Sequence, residues 1–403
     1  MKILLVNKFF YKKGGAETVY FQEREMLRQE GFDIVEFSMT HESNEASDYS
    51  DYFVSNVDYY QGSGIIAKLK TAQRFIHNSE ACEKFSQLLE KERPDIVHFH
   101  NIYHQITPSI IKIAKQFGCI TVLTAHDYKI ACPNYTMYRD GQVCEACVSG
   151  SVWNAFKYRC QEGSASKSLL LSLEALYQSW SKNYHALDVV VSPSAFLSEK
   201  IQQKLPTVRT EVIVNGIDEN IAQGEIEDEG YFVYVGRLSS EKGVPTLLSA
   251  HQQLAVDFPL KVVGTGPMYE QLTAEYDSAE FYGYQSGREL ENLIKKARAV
   301  IVPSEWYENC SMSVLEAMAY GKPVIGAKIG GIPEQIRDQQ EGLLFEAGNQ
   351  QALTDALHYM ATNPEQAQKM GRQARQRLIE KYSLSKHKAD LLGLYQELTE
   401  TQS

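Results

Sequence analysis

Two acids with seven residues between them dominate the chemistry this chain could perform. Glu308 and Glu316 lie in the run Pro303-Ser304-Glu305-Trp306-Tyr307-Glu308-Asn309-Cys310-Ser311-Met312-Ser313-Val314-Leu315-Glu316. Glu308 falls in a loop after an apolar strand, and Glu316 on the helix that follows. The neighbours Val314, Leu315 and Met318 make that helix face apolar, where a carboxylate is costly unless it is exposed or bonded. One acid could hold a sugar's hydroxyls and the other a ribose. Between them, the backbone of Asn309, Cys310, Ser311, Met312 and Ser313 offers N–H groups to an anion at a helix N-terminus. Two exposed surface glutamates are the plainer alternative, and the apolar neighbours argue against it.

A second cluster supplies the opposite charge. Val235-Gly236-Arg237-Leu238 leads into Glu241-Lys242-Gly243. Gly236 permits close backbone approach, and Arg237 and Lys242 can together neutralise a diphosphate, one by its fork and one as a point charge. A departing nucleoside diphosphate gains charge in the transition state, so such a pair can assist its release. The setting sharpens this reading. Residues 1–220 hold 23 basic and 26 acidic residues, net −3; the rest holds 17 and 25, net −8. Two cations on one loop of an acidic half are more telling than two on a basic face. No basic face for a nucleic acid is apparent.

Other candidates follow strands. Gly14-Gly15-Ala16-Glu17 opens a helix after the first strand, although a tight turn explains it equally. Val263-Gly264-Thr265-Gly266-Pro267 could let backbone meet a base or ribose, and Gly330-Gly331-Ile332-Pro333-Glu334 enters another helix. His126-Asp127 closes a strand and could orient a sugar hydroxyl; a packed histidine bonded to a carbonyl is the alternative. His98 and His100 share one sheet face. His100 with Asn101 lies nearer the strand end, and His98 is deeper and reads as structural. Cys132, Cys144, Cys147 and Cys160 have the form C-x11-C-x2-C-x12-C. That spacing suits a tetrahedral structural zinc, a staple for a long aromatic-rich loop. Four ordinary packed thiols, or disulfides, remain open. Cys82, Cys119 and Cys310 read as single packed residues.

These motifs need a scaffold that puts loops at strand ends. The 403 residues, 43% hydrophobic, alternate short apolar runs with helical stretches, the pattern of parallel α/β domains. About six strands fall in each half, the last of the first half at Val212–Val214. The polar, glycine-punctuated stretch 219–230 reads as a linker. Two doubly wound domains facing each other would form a cleft, with ligands outside the carboxyl ends of the strands. Met1–Phe10 reads as a strand and not as a leader, and no apolar run approaches the roughly 20 residues that cross a bilayer. A cytoplasmic protein is expected, with peripheral contact at the inner face of the cell membrane as an option. Lys68, Lys70, Arg74, Lys167, Leu169–Leu171 and Trp180 could make that contact; amphipathic helices explain them more simply.

Taken in order, the motifs resemble glycosyltransferase family 4, the retaining family of GT-B fold, and bacterial polysaccharide-assembly members in particular. The residues carrying the resemblance are Gly14-Gly15, His126-Asp127, Ser192-Pro193-Ser194, Asn215-Gly216-Ile217-Asp218, Gly236-Arg237, Glu241-Lys242-Gly243, Gly264-Thr265-Gly266, Glu308 with Glu316, and Gly330-Gly331 with Glu334. The resemblance implies an acceptor-side domain over 1–218, to which 386–403 return, and a nucleotide-sugar domain over 231–385. It implies His126, Glu308, Arg237 and Lys242 as catalytic. It implies donor contacts from Gly15, Gly236, Gly264, Gly266, Asn309, Cys310, Ser311, Met312, Ser313 and Glu316. The donor would be a nucleoside-diphosphate sugar, UDP-linked, and the acceptor a glycan or lipid-linked saccharide. No catalytic metal is expected, only a structural zinc. One departure is Asn309-Cys310-Ser311, where the family often has a Phe-Gly pair, which leaves the sugar open. A sugar-nucleotide epimerase of the same fold, a glycoside hydrolase and a non-catalytic sugar-nucleotide-binding scaffold are the competing readings.

Overall fold

A computed structural model describes residues 1–56, 65–221 and 227–402, with the side chains of 65–69 and 402 outside the description. Five residues of the expected linker, 222–226, and the Lys68 side chain therefore lie outside the described residues.

Among the described residues fourteen strands are formed. β1 (Lys2–Val6), β2 (Asp33–Phe37), β3 (Ile96–Phe99) and β4 (Ile120–Thr124) precede a two-residue hairpin, β5 (Tyr138–Arg139) and β6 (Gln142–Val143). β7 (Val189–Ser192) and β8 (Thr210–Val212) complete the first half. The second contains β9 (Phe232–Val235), β10 (Leu260–Val263), β11 (Glu280–Gly283), β12 (Ala299–Val302), β13 (Val324–Ala327) and β14 (Gly342–Phe345). The sheet orders are β2-β1-β3-β4-β7-β8 and β11-β10-β9-β12-β13-β14. Every pairing within these two sheets is parallel.

The strands form where apolar runs can be buried on both faces. In β1, Leu4 and Val6 enter one core cluster while Ile3 and Leu5 enter another, the two-residue alternation of a pleated strand. The second sheet is likewise covered on both faces by separate clusters. The fold is thus two doubly wound α/β domains. β8 begins and ends two residues earlier than the expected strand Val212–Val214. Val214 instead joins the core of the second half, so the chain leaves its first sheet before its apolar run ends.

The halves are joined twice. Residues 213–217 carry the chain out, and 382–387 bring it back alongside: Ile217 pairs with Ser383, and Leu384 N donates to Ile217 O at 2.9 Å. A Cβ on Gly216 would lie 2.8 Å from both Leu384 Cα and His387 Cβ, so only glycine allows the crossing strands to lie this close. The helix Leu384–Gln402 then packs Leu391, Leu394, Tyr395 and Leu398 into the core of the first half. Among the described residues no helix is long and apolar enough to cross a membrane. Trp180, at the end of the helix Ala165–Ser181, is 82% exposed.

Candidate active site

In each sheet the winding reverses beside the first strand, between β1 and β3 and between β9 and β12. Crevices at such reversals are where open α/β sheets bind ligands. The loop after β9 carries Gly236, Arg237 and Lys242, and the loop after β12 carries Glu308. The sheet order therefore brings together segments about seventy residues apart.

Lys242 Nζ lies 2.7 Å from Glu308 Oε1. Ser304 Oγ and Trp306 Nε1 donate to the same oxygen at 2.6 and 2.9 Å, and Lys242 stands 4.9 Å from the Trp306 ring centre. Burial by itself would raise the Glu308 pKa. The Lys242 charge and the three donors outweigh it and hold the group below the usual carboxylate range. Arg237 is exposed and has no ion pair or side-chain hydrogen bond among the described residues. Glu316, half-buried on the helix Met312–Ala319, likewise has no partner among them. Burial pushes its pKa up to about 7. The first-turn N–H groups of Met312, Ser313 and Val314 have no acceptor among the described residues. A fork, an ammonium and a row of free amides thus border one crevice, with a second carboxyl on the same helix.

The glycines build the floor of this crevice. Gly264 has φ +134°, and a Cβ there would meet Gly236 O at 1.9 Å; one on Gly266 would meet Leu238 O at 2.4 Å. The close approach expected toward a base or ribose is made here between two loops. Gly331 is pressed in the same way against Asn309 O, at 1.8 Å from a built Cβ.

The segment 309–313 divides its labour. Asn309 Nδ2 donates to Ala125 O at 3.2 Å, and Asn309 Oδ1 accepts from Ser194 Oγ at 2.6 Å, so its side chain straps the two halves. Cys310 is buried beside Gln335, its thiol pushed up to about 12 by burial. Ser311 N donates to Gln335 Oε1 at 2.9 Å, and Ser313 Oγ donates to Val235 O at 3.2 Å. Gly15 faces Met312 from across the cleft, a Cβ there lying 3.5 Å from Met312 Cγ.

His126 follows β4 by two residues, on the opposite wall. Its Nε2 is 2.9 Å from His100 Nδ1, and its Nδ1 has no partner among the described residues. Below them lies Glu23, which is 1% exposed. It is 3.6 Å from His100 Nε2, 3.6 Å from His98 Nδ1 and 3.3 Å from His387 Nε2. Burial lowers the pKa of His98, His100 and His126, the last to about 4. Glu23 resists the same burial because three imidazoles surround it, and it stays well below the carboxylate range. Glu23, His98 and His100 are the one trio among the described residues with metal-type ligand atoms all within 4.8 Å. Both nitrogens of His98 are already engaged, by Tyr395 OH at 2.6 Å and Thr124 Oγ1 at 2.7 Å, so His98 has no nitrogen left for a metal, and the trio is a buried cluster of one carboxylate and two imidazoles. Asp127 serves the loop and not its neighbour: it accepts from Tyr103 OH and, at 2.9 Å, from Lys129 N.

Glu23 and His387 were absent from the sequence candidates. A signal existed for Glu23, since Val19, Tyr20, Glu23, Met26 and Leu27 fall on one helical stripe and four of the five are apolar. His387 offered none, because its partner is 364 positions away. Glu334, read as a helix-start acid, caps a different helix: its carboxylate accepts from Ala195 N at 2.8 Å and Phe196 N at 2.7 Å across the interface. Tyr128 OH donates to Glu308 O at 3.1 Å. The histidine wall and the glutamate loop are therefore latched directly.

The comparisons with known proteins bear on the family and the fold. Residues 13–221 match the family model described as Glycosyltransferase Family 4, and 216–377 match Glycosyl transferases group 1. An uncharacterized glycosyltransferase of Methanocaldococcus jannaschii is 24% identical over 99% of both chains. Sucrose-phosphate synthase from Thermosynechococcus elongatus shares the fold with TM-score 0.74, at 19% identity over 99% of both chains. HepE of Anabaena, solved with UDP-glucose, does so with TM-score 0.65, at 18% identity over 100% of this chain and 99% of that one. The first family model alone spans more than half the sequence, and the sheets have the GT-B arrangement of these neighbours: the chain belongs to glycosyltransferase family 4.

Proposed function

We propose that this glycosyltransferase takes its sugar from a UDP-linked donor held against the second half and passes it, with retention, to a saccharide or lipid-linked saccharide bound by the first. The observation that carries this is the Lys242–Glu308 pair in the crevice, with Arg237 unpaired beside it. Arg237 and Lys242 meet the diphosphate and its growing charge, so no divalent ion is required for that task. The free amides of Met312 and Ser313 add hydrogen bonds to phosphate oxygens. Glu316 accepts from ribose hydroxyls, and Glu308, oriented by Ser304 and Trp306, accepts from the transferred sugar. His126, neutral because it is buried, offers Nδ1 to a sugar hydroxyl from the opposite wall, and Gly15 leaves room for the phosphates beside Met312. The UDP-glucose complex of HepE supports the choice of base. The reaction takes place in the cytoplasm, and an acceptor carried on a lipid would bring the enzyme to the inner face of the membrane.

A thermal-shift screen of nucleotide sugars tests the donor, because a ligand of the native state raises stability by mass action. UDP-sugars should shift the melting temperature more than GDP- or ADP-sugars. Donor turnover with and without a saccharide acceptor then separates the readings. Transfer requires the acceptor, epimerisation does not, and a scaffold releases no UDP. Activity lost to chelator and restored by magnesium would overturn the metal-free diphosphate site.

A further inference from the structure

The loop between β4 and β7 carries a second piece of chemistry. Cys132, Cys144, Cys147 and Cys160 line one small cavity, although they come from four different turns. All four are free thiols. The hairpin β5–β6 delivers Cys144, whose N–H donates to Met137 O at 2.7 Å. The short helix Asn154–Lys157 delivers Cys160, whose N–H donates to Ala155 O at 3.0 Å. Backbone N–H groups of Asn134 and Met137 point at the Cys132 sulfur, and the Arg139 guanidinium lies against Cys144.

The lobe has an independent need for a staple. Tyr135, Met137, Asp140, Arg159 and Glu162 all have positive φ, half of the ten non-glycine residues so placed among those described. Each costs free energy that the surroundings must offset. Regular structure here is limited to two-residue strands and a four-residue helix. Few large apolar side chains are buried among them.

We infer that these four cysteines hold one zinc ion as thiolates, releasing their protons to solvent on binding, and that the ion fixes a knuckle which positions the active-site loop. Four thiolates at about 2.3 Å leave no open coordination position, so the ion is structural. Among the described residues no three of these sulfurs lie within 4.8 Å of one another, so the roughly 3.8 Å mutual spacing that those bonds require is reached only as the ion draws them inward. The knuckle between Cys144 and Cys147 contains Glu145. Its carboxylate accepts from Tyr307 OH at 2.8 Å and pairs with Lys200 Nζ at 2.9 Å. Lys204 Nζ donates to Cys147 O at 2.6 Å. Tyr307 immediately precedes Glu308. A metal in the first half therefore bears on the carboxylate loop of the second through one tyrosine hydroxyl.

The test uses the whole chain purified under reducing conditions. Elemental analysis should give one zinc per chain, and cobalt exchanged into the protein should produce a thiolate-to-metal charge-transfer band. Cys144→Ser and Cys160→Ser should lose the metal, whereas Cys82→Ser and Cys119→Ser should keep it. Should the serine variants fail to fold, the wild-type metal content and the cobalt band still decide. Metal-free protein with four titratable thiols, or with these cysteines in disulfides, overturns the site. Hydrogen exchange reads the coupling without any donor, so it stands or falls apart from the UDP-sugar reading. Chelation should speed exchange in 304–310 severalfold, and Tyr307→Phe should do so with zinc retained. Unchanged exchange in 304–310 after zinc removal overturns the coupling.

Discussion

A half-buried carboxyl poised at about 7 makes donor affinity depend on pH in a calculable way. Glu316 can accept from ribose hydroxyls only when ionised. At pH 6 roughly one carboxyl in ten is ionised in the free protein, and at pH 8 roughly nine in ten. Apparent affinity is reduced by the competent fraction, so UDP-glucose should bind about tenfold more tightly at pH 8 than at pH 6. That is about 1.4 kcal/mol. UDP-glucose is the right probe, because it lacks the terminal phosphate ionisation near pH 6 that UDP would add. His126, at about 4, does not titrate in this interval. Isothermal titration calorimetry at fixed ionic strength reads the affinity, and Glu316→Gln should be weak and flat across the range. Equal wild-type affinity at the two pH values, or a slope that survives in Glu316→Gln, would refute the role given to this carboxyl.

Arg237 is exposed and unpaired among the described residues, so Arg237→Ala should lower kcat about a hundredfold or more while leaving the melting temperature unchanged; a mild kinetic effect would contradict the leaving-group role. Acid should destabilise the first half. His98, His100 and His126 are neutral when folded but protonated when unfolded below about pH 6.5, so the unfolded chain binds more protons there. Stability should therefore fall by up to about 1.4 kcal/mol per pH unit for each such proton. His387, whose pKa is raised, is charged in both states below pH 6.5 and adds no slope there, and Glu23 adds its own loss below the ordinary carboxylate range. Melting temperatures at pH 7.5 and 5 check the sign; a melting temperature that does not drop would count against it. Glu334→Ala removes an interdomain helix cap and should cost about 1 kcal/mol in denaturant melts, with no change in a Glu334→Ala variant sinking the latch. Leu391→Ala, in the fully buried face of the last helix, should cost about 2–5 kcal/mol by the same melts.

The two sheets and the winding were visible in the sequence because parallel strands bury both faces and read as unbroken apolar runs. The loops after β9 and β12 were visible because Arg237, Lys242 and Glu308 are polar interruptions next to such runs. Pairings across the domains were not. Glu334 meets Ala195 and Phe196, Asn309 meets Ala125, and Glu145 meets Tyr307 only once the two halves face each other, and no local pattern encodes that. The glycines were found but their use was not: Gly264 and Gly266 look alike whether a ligand or a neighbouring loop approaches them. Glu23 was hidden for a further reason. A buried carboxylate is unfavourable until three imidazoles surround it, and they arrive from β3 and from the last helix.

The last helix also has a bearing on synthesis. Strands β1 to β8 leave the ribosome early, yet the apolar face formed by Ile3, Leu5 and Val122 shares a core with Leu391, Leu394 and Tyr395. That face stays bare while the whole second half is made, and nascent chains with uncovered sheet faces are prone to wrong association. The second half, whose two clusters draw almost entirely on its own residues, can close first. A truncation before residue 384 would then leave the second half intact and the first half sticky, which predicts aggregation that begins in the part of the chain synthesised first.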